Sequence, residues 1–302
     1  MSDRAGVDAG VKAGVAMRVG TVGALARELA ATLTAANIAE AKREAGDIIA
    51  AVYDVPRFWA LLHEDEAADA ARAVQCRLAA RHRSAGAPFA YAVGRSAFRY
   101  LTLHVDERVL IPRQETEMLV DEILARESTG VAIDIGTGSG AIALALASEG
   151  KYSRVIGTDV SSGAIAVARA NGERLAPSLT APVEWREGAL LAPVAGERAR
   201  VLASNPPYIA FDEVLALPES VRDWEPPFAL YSASGGMAIS ASIIRGAPDV
   251  LEPGGLLVME LDARRASLAA ELALASGRYR DVSVRLDLAG RERFLIARRK
   301  DE

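Results

Sequence analysis

The chain has 302 residues, more than one typical domain contains, so its length favours one large domain and a smaller one. With 51% hydrophobic and 25% charged residues, the composition is typical of soluble globular proteins and excludes a long disordered or collagen-like chain. Its 35 basic and 40 acidic residues give a net charge of -5, the wrong sign for binding duplex nucleic acid by broad neutralisation of phosphates.

No feature of the sequence predicts export or membrane insertion. Its longest apolar runs, such as residues 141–147, are far shorter than the roughly 20 residues that cross a bilayer. The N-terminus lacks a basic segment followed by an apolar one. Cys76 is the only cysteine, which excludes an intramolecular disulfide and a cysteine-built metal site. We therefore expect a cytoplasmic protein that does not bind membranes.

The N-terminal part of the sequence predicts a tail followed by helices. Residues 1–20 show no sustained hydrophobic period and are expected to form a loose tail. Residues 21–90 are rich in Ala, Leu, Arg and Glu. Apolar residues recur there at helical spacing, as at Leu25, Leu29 and Leu33. We predict a small helical domain with breaks near Asn37 and at Pro56.

The rest of the sequence predicts a connector and an α/β domain. Residues 91–112 carry aromatic and β-branched residues around Asp106 and Glu107, a pattern typical of a hairpin centred on that pair. From residue 113 to 302, helices alternate with strands, which predicts a mostly parallel sheet covered on both faces. Two successive strands at the end indicate an antiparallel edge. The predicted strands are 131–135, 154–158, 183–186, 201–204, 256–261, 281–286 and 293–297.

A glycine-rich turn follows the first of these strands. It comprises Asp134, Gly136, Thr137, Gly138, Ser139 and Gly140, and a helix is predicted directly after it. Glycines let a ligand approach the backbone, and the N–H groups at a helix N-terminus favour anionic or polar ligand groups. The turn therefore indicates a nucleotide-type cofactor, although a purely structural tight turn has the same pattern.

Asp159 closes the next strand, so it is expected at the same edge of the sheet as the glycine turn. A carboxylate there can accept the hydrogens of both ribose hydroxyls, which indicates a cofactor that contains adenosine. Alone, Asp159 would equally suit a helix N-terminus, where the dipole favours an acidic side chain.

Asn205, Pro206, Pro207 and Tyr208 directly follow the fourth strand, so three strand ends converge. Two prolines remove two N–H donors and leave the Asn205 side-chain oxygen and the Pro206 carbonyl free to accept hydrogen bonds. Paired acceptors suit a planar NH2 group, against which Tyr208 can pack. The alternative is an ordinary proline turn after a strand.

Together, these residues resemble class I methyltransferases that use S-adenosylmethionine to methylate exocyclic or amide nitrogens. Further segments resemble one branch, the bacterial release factor glutamine N5-methyltransferase family. They are residues 86–94, 109–117, 224–230 and 251–255, and they occur in the family's order. The resemblance covers about residues 25–298.

The resemblance implies an α/β fold: a Rossmann-like class I methyltransferase domain with a mostly parallel seven-stranded sheet and an antiparallel edge, preceded in the sequence by a small N-terminal helical bundle. It implies methyl transfer from S-adenosylmethionine to a glutamine side-chain nitrogen of a peptide chain release factor, in translation termination, with S-adenosylhomocysteine as product and no metal. The helical domain would dock the protein substrate. We further expect a monomer that binds no nucleic acid directly.

Carried over by residue, the resemblance assigns Asp134 and the turn from Gly136 through Thr137, Gly138 and Ser139 to Gly140 to the cofactor. Asp159 would bind the ribose, with Leu190 beside the adenine. Asn205, Pro206, Pro207 and Tyr208 would hold the glutamine amide; of these, Asn205, Pro206 and Tyr208 would be catalytic and Asn205 would also face the cofactor. Arg113, Glu115 and Thr116 would line the entrance.

The sequence departs from the family pattern at several positions. Ala189 stands where the family has an acidic residue beside the adenine, and Gln114 where it commonly has proline. The family prefers Glu-Ile-Gly and then Gln where this chain has Glu260, Leu261 and Asp262 followed by Arg264 and Arg265. Two alternatives therefore stay open: a nucleic-acid amino-methyltransferase, and a diverged cofactor-binding relative without catalysis. The dispersed His63, His82 and His104 indicate no metal site.

Overall fold

The computed structural model describes residues 20–301 and divides into two compact units, residues 20–85 and 86–301. The tail expected for residues 1–20 lies outside the described residues, apart from Gly20. The sequence placed the end of the helical domain at residue 90.

The N-terminal unit consists of four helices, as its leucine spacing predicts. They are α1 (Val22–Ala35), α2 (Ala41–Tyr53), α3 (Trp59–Leu62) and α4 (Ala70–Ser84). Leu25, Leu29 and Leu33 form the buried stripe of α1. The chain breaks where Asn37 and Asp54 adopt left-handed conformations, with φ of 59° and 56°. The second of these residues ends α2 just before Pro56.

The second unit begins with α5 (Phe89–Val93) and a two-stranded hairpin of β1 (Arg95–Phe98) and β2 (Leu101–His104). The hairpin was expected, but its predicted centre at Asp106 and Glu107 was wrong, because the chain turns at Arg99 and Tyr100. Arg99 has a φ of 51°, and its guanidinium pairs with Glu149 at 2.7 Å. This distant ion pair holds an unusual turn residue, which no local pattern reveals. Asp106 instead pairs with the nearby Arg108 at 2.6 Å.

A seven-stranded sheet forms the centre of this unit and confirms the predicted fold class. Its strands are β3 (Thr129–Ile135), β4 (Lys151–Asp159), β5 (Val183–Glu187), β6 (Ala199–Ser204), β7 (Leu251–Glu260), β8 (Tyr279–Leu286) and β9 (Glu292–Arg299). The spatial order is β5-β4-β3-β6-β7-β9-β8. The pairs from β5 to β7 are parallel, and β9 is antiparallel to both of its neighbours.

Helices cover both faces of the sheet. They are α6 (Gln114–Leu124), α7 (Ala141–Glu149), α8 (Ser162–Leu175), α11 (Ala238–Val250) and α12 (Ala266–Ala275). Two short helices, α9 (Glu219–Arg222) and α10 (Pro227–Leu230), lie in the segment between β6 and α11. Successive residues of β6 enter different cores: Val201 packs with the cluster under α6 to α8, and Leu202 with the cluster under α11 and α12. The strands are therefore buried on both sides, and polar groups at their carboxyl ends are left to form a site.

Candidate functional site

The carboxyl ends of β5, β4, β3 and β6 surround a cavity of about 340 Å3. Most of the residues that the sequence assigned to the site lie in its wall. These are Arg113, Thr116, Gly136, Thr137, Gly138, Ser139, Asp159, Leu190, Asn205, Pro206 and Pro207. Because adjacent parallel strands end at one edge, segments far apart in sequence meet here.

The glycine turn after β3 contributes open space. Gly136 and Gly138 have φ of 74° and 55°, and a Cβ atom at either position would meet no protein atom within 4 Å. The N–H groups of Gly136 and Thr137 both donate to the Thr158 carbonyl, at 2.9 and 2.8 Å. The turn therefore offers a ligand free room rather than these two backbone donors, which already bind the neighbouring strand.

Two residues assigned to the cofactor, Asp134 and Gly140, do not line the cavity. A Cβ on Gly140 would lie 2.9 Å from the Trp185 ring, so this glycine serves close packing at the start of α7. Asp134 is fully buried behind the turn, where it accepts hydrogen bonds from Thr137 Oγ1 at 2.6 Å and Ala143 N at 3.2 Å. Burial raises the pKa of Asp134 to about 7. Its contact with Thr137 supports the turn from behind.

Asp159 lies at the end of β4 with 8% of its surface exposed, and it lines the cavity. Gly138 N donates to Oδ2 and Ser161 N to Oδ1, each at 2.9 Å. Burial raises the pKa of this carboxyl above its ordinary value, against the effect of these N–H donors. A carboxylate oxygen can accept more than one hydrogen bond, so this fixed side chain can still accept hydrogen bonds from two hydroxyl groups in the cavity.

The wall next to Asp159 is apolar. Gly188, Ala189 and Leu190 follow β5, and Val160 follows β4. Leu190 adopts a left-handed conformation with a φ of 52° and is 39% exposed. None of these four residues has a polar side chain. A base held here would therefore meet apolar groups and backbone atoms.

Asn205, Pro206 and Pro207 form the wall on the side of β6. Asn205 Nδ2 donates to the hydroxyl of Thr116, 3.1 Å away on the first turn of α6. This contact turns the Asn205 nitrogen towards α6 and leaves its side-chain oxygen available to the cavity. Tyr208, the last residue of the motif, is half-buried and is not part of the cavity wall. Burial raises the pKa of its hydroxyl to about 12.

Two of the three residues that were expected at the entrance of the cavity lie there, and the third does not. Arg113 and Thr116 line the cavity, whereas Glu115 is exposed and lies outside its wall. Arg113 donates to the buried Glu225 at 2.6 Å, and Ile111 N donates to the same carboxylate at 3.3 Å. Burial raises the pKa of Glu225, and the charge of Arg113 opposes that shift.

Glu225 belongs to residues 224–230, one of the segments that resemble the family, but no local pattern of the sequence assigns a role to this residue. The Glu225 carboxylate links this segment to the residues just before α6, at the entrance of the cavity. Arg108 also lines the cavity without having been predicted. Its pairing with Asp106 lowers the pKa of that carboxyl to about 2. Arg108 and Asp106 stand two residues apart, and this spacing is the local sequence signal for their ion pair.

Two further features are absent from the described residues: a cluster of metal-binding side chains and a helix able to span a membrane. Between residues 20 and 301 there is no cluster of three or more His, Cys, Asp or Glu side chains that could hold a metal ion. Over the same range, no helix combines the length and apolar character that a membrane span requires.

Family models match most of the first unit and about half of the second. The Methyltransferase small domain matches residues 114–216, and the PrmC N-terminal domain matches residues 24–94. A solved structure described as a methyltransferase from Pyrococcus furiosus superposes with a TM-score of 0.52 at 20% identity, and covers 68% of this chain and 91% of that one. The fold and the strand-end cavity thus define a class I methyltransferase.

Curated relatives narrow the assignment. A release factor glutamine methyltransferase from Moorella thermoacetica is 41% identical over 252 residues, or 82% of this chain and 87% of the relative. One of the same name from Cereibacter sphaeroides is 38% identical over 266 residues, or 88% of this chain and 94% of the relative. The chain belongs to the release factor glutamine methyltransferase family.

Proposed function

We propose that this protein transfers a methyl group from S-adenosylmethionine to the side-chain amide nitrogen of a glutamine in a peptide chain release factor, as part of translation termination. The observation that carries the proposal is the orientation of Asn205, whose nitrogen binds Thr116 at 3.1 Å while its oxygen is available at the cavity wall. The printed names of the relatives support the same substrate.

The cavity residues fit the proposed methyl donor. Open space at Gly136 and Gly138 suits its amino-acid part, and the fixed, nearly buried carboxylate of Asp159 suits two ribose hydroxyls. Leu190 and Ala189 would contact the adenine through apolar surface. When bound, S-adenosylmethionine supplies a reactive methyl group on a positively charged sulfur. S-adenosylhomocysteine would be the product, and we propose that no metal takes part.

The role of the chain in catalysis would be to hold and orient the substrate amide. Asn205 Oδ1 and the Pro206 carbonyl accept the two amide hydrogens, and Pro207 has no N–H group that could compete for them. Tyr208 follows these acceptors outside the cavity wall and would pack against the flat amide group once the substrate is bound. Fixed acceptors stabilise the positive charge that develops on nitrogen during transfer. Since both acceptors are neutral, we propose that the released proton passes to solvent.

The remaining assignments complete the proposal. The four-helix unit would dock the release factor, whose glutamine must reach a site on the second unit. The net charge of -5 argues against direct binding of nucleic acid. We propose a monomer that acts in the cytoplasm, where release factors work with ribosomes.

The experiment that tests the proposal is labelling with a radioactive methyl donor. The wild-type protein is incubated with the donor, purified release factor and total nucleic acid from the same cells. Label is expected in the release factor alone. Asn205→Ala is expected to lower incorporation by about 100-fold or more, because it deletes a fixed acceptor for the amide.

Two other outcomes would contradict the proposal. Label in nucleic acid with unlabelled release factor would identify a nucleic-acid amino-methyltransferase, whose activity should also fall steeply with salt. No label in any fraction, together with retained binding of S-adenosylhomocysteine by calorimetry, would identify a relative that binds the cofactor without turnover.

A further inference from the structure

A short chain of hydrogen bonds leads from the cavity wall into the interior of the second unit. Asn205 Nδ2 donates to Thr116 Oγ1 at 3.1 Å, and Thr116 Oγ1 donates to Glu260 Oε2 at 2.6 Å. Glu260 is the last residue of β7 and is 1% exposed, and Thr116 is 4% exposed. Three elements, the end of β6, the first turn of α6 and the end of β7, therefore each contribute one group.

The direction of these hydrogen bonds follows from counting protons. A threonine hydroxyl has one proton, and an ionised carboxylate can only accept. Glu260 therefore accepts the hydrogen bond of the Thr116 hydroxyl, and towards Asn205 the Thr116 oxygen can only accept. Its partner must then be the NH2 group of Asn205, which leaves the side-chain oxygen of Asn205 facing away from α6.

A buried carboxylate is costly unless its surroundings compensate. Burial raises the pKa of Glu260, and the hydrogen bond from Thr116 is the largest influence that lowers it. The charges of Arg293 and Arg113 also lower this pKa, and that of Glu115 raises it. Burial nevertheless dominates and raises the pKa of Glu260 to about 7. Glu260 is buried at this energetic cost and accepts a hydrogen bond from Thr116, a residue of the cavity wall. This arrangement indicates a role beyond packing.

We propose that Thr116 and Glu260 are positioning residues for methyl transfer, which together fix the Asn205 side chain with its oxygen towards the substrate amide. This inference rests on the proposed function, since it assumes that Asn205 binds the glutamine. Glu260 itself is not part of the cavity wall and acts through Thr116. Without the pair, the Asn205 amide could turn over and present its NH2 group, which would repel the hydrogens of the substrate.

Three variants test the proposal: Thr116→Val, Thr116→Ser and Glu260→Gln. Each is assayed for kcat on the release factor, for S-adenosylhomocysteine affinity by calorimetry and for thermal unfolding. Thr116→Val keeps the shape of the side chain but lacks the hydroxyl, so kcat is expected to fall about 10- to 100-fold. Thr116→Ser restores the hydroxyl and is expected to stay within about threefold of wild type.

Glu260→Gln is the second, independent probe. A glutamine at this position can donate as well as accept, so it no longer dictates which way the Thr116 proton points. We expect kcat to fall about tenfold. In all three variants S-adenosylhomocysteine affinity is expected to stay within about threefold of wild type, because the cofactor wall is intact.

Several results would overturn the proposal. One is a kcat within about threefold of wild type for Thr116→Val and Glu260→Gln. Another is a parallel loss of kcat and S-adenosylhomocysteine affinity, or failure of Thr116→Ser to restore kcat, since either would indicate a merely structural hydroxyl. If Thr116→Val does not fold, Glu260→Gln decides. A wild-type protein that does not label the release factor would instead contradict the proposed function itself.

Discussion

At the scale of single residues, burial separates side chains that look equivalent in the sequence. Asp134 and Asp159 both stand at or next to the end of a strand, and both were expected to touch the cofactor. The structure places Asp159 in the cavity wall and Asp134 behind it, bound to Thr137. Strand position alone could not predict this difference, because it depends on the path of the turn between them.

The position of Asp159 leads to a prediction about cofactor affinity. Asp159→Ala is expected to weaken S-adenosylhomocysteine binding about 10- to 150-fold, because buried hydroxyls would lose a charged acceptor worth roughly 1.5 to 3 kcal/mol. Glu187→Ala is the matched control, since Glu187 ends the adjacent strand but is exposed and outside the cavity wall. Titration calorimetry measures both. Equal affinity of Asp159→Ala and wild type would place the ribose elsewhere.

At the scale of elements, local patterns predicted most strands and helices of the second unit to within a few residues. The hairpin turn was the exception, because the ion pair between Arg99 and Glu149 joins residues far apart in sequence. The segment between β6 and α11 is a second case. It contains only short helices. Arg265, one of the residues at which the chain departs from the family pattern, holds this segment in place through hydrogen bonds.

Arg265 is 5% exposed and joins three parts of the second unit. It donates to the Gly235 carbonyl and to Glu213, both at 2.7 Å, and it pairs with Asp262. Glu213 in turn accepts from Ala210 N at 3.0 Å, in the segment that follows Tyr208. The departure from the family pattern thus forms one connected group that holds this segment in place.

We therefore expect Arg265→Ala to lower the free energy of unfolding by about 3 kcal/mol, because it leaves partly buried carboxylates without their partner. Arg264→Ala is the matched control: it has the same partner, Glu213, but its side chain is 75% exposed. Its cost is expected to stay below about 1 kcal/mol. Chemical denaturation measures both, and equal losses would contradict the role given to Arg265.

At the scale of the whole molecule, the alternation of strands and helices was enough to predict the sheet, its parallel part and its antiparallel edge. Apolar residues that recur with a period of two, or of about 3.6, indicate which faces of the strands and helices are buried. They do not record hydrogen bonds between distant side chains. The links from Asn205 to Thr116 and Glu260, and from Arg113 to Glu225, therefore became visible only in the structure.

Buried carboxyl groups also predict how stability depends on pH. Burial raises the pKa of Asp134 and of Glu260 to about 7 each, from their ordinary values of 3.8 and 4.5. At these two carboxyls the folded state therefore binds more protons than the unfolded state between these limits, so their contribution to stability is largest at low pH and is lost as the pH rises through about 7. The pKa of Asp106 is lowered to about 2, so its contribution to stability changes in a different and more acidic pH range.

Between pH 5 and pH 8, Glu260 alone is expected to cost about 2 to 3 kcal/mol of the free energy of unfolding. Glu260→Gln removes this titration, so its unfolding free energy should fall less than that of wild type over the same interval. Urea denaturation at several pH values measures the difference. Identical pH dependence in the two proteins would mean that Glu260 titrates near its ordinary pKa.

The central claim is that the acceptor at Asn205 and Pro206 receives a glutamine amide. Its most direct test is tandem mass spectrometry of purified release factor after incubation with wild-type protein and S-adenosylmethionine. We expect one added methyl group, located on the side-chain nitrogen of a single glutamine and absent after incubation with Asn205→Ala. A methyl group on any other type of residue would contradict it.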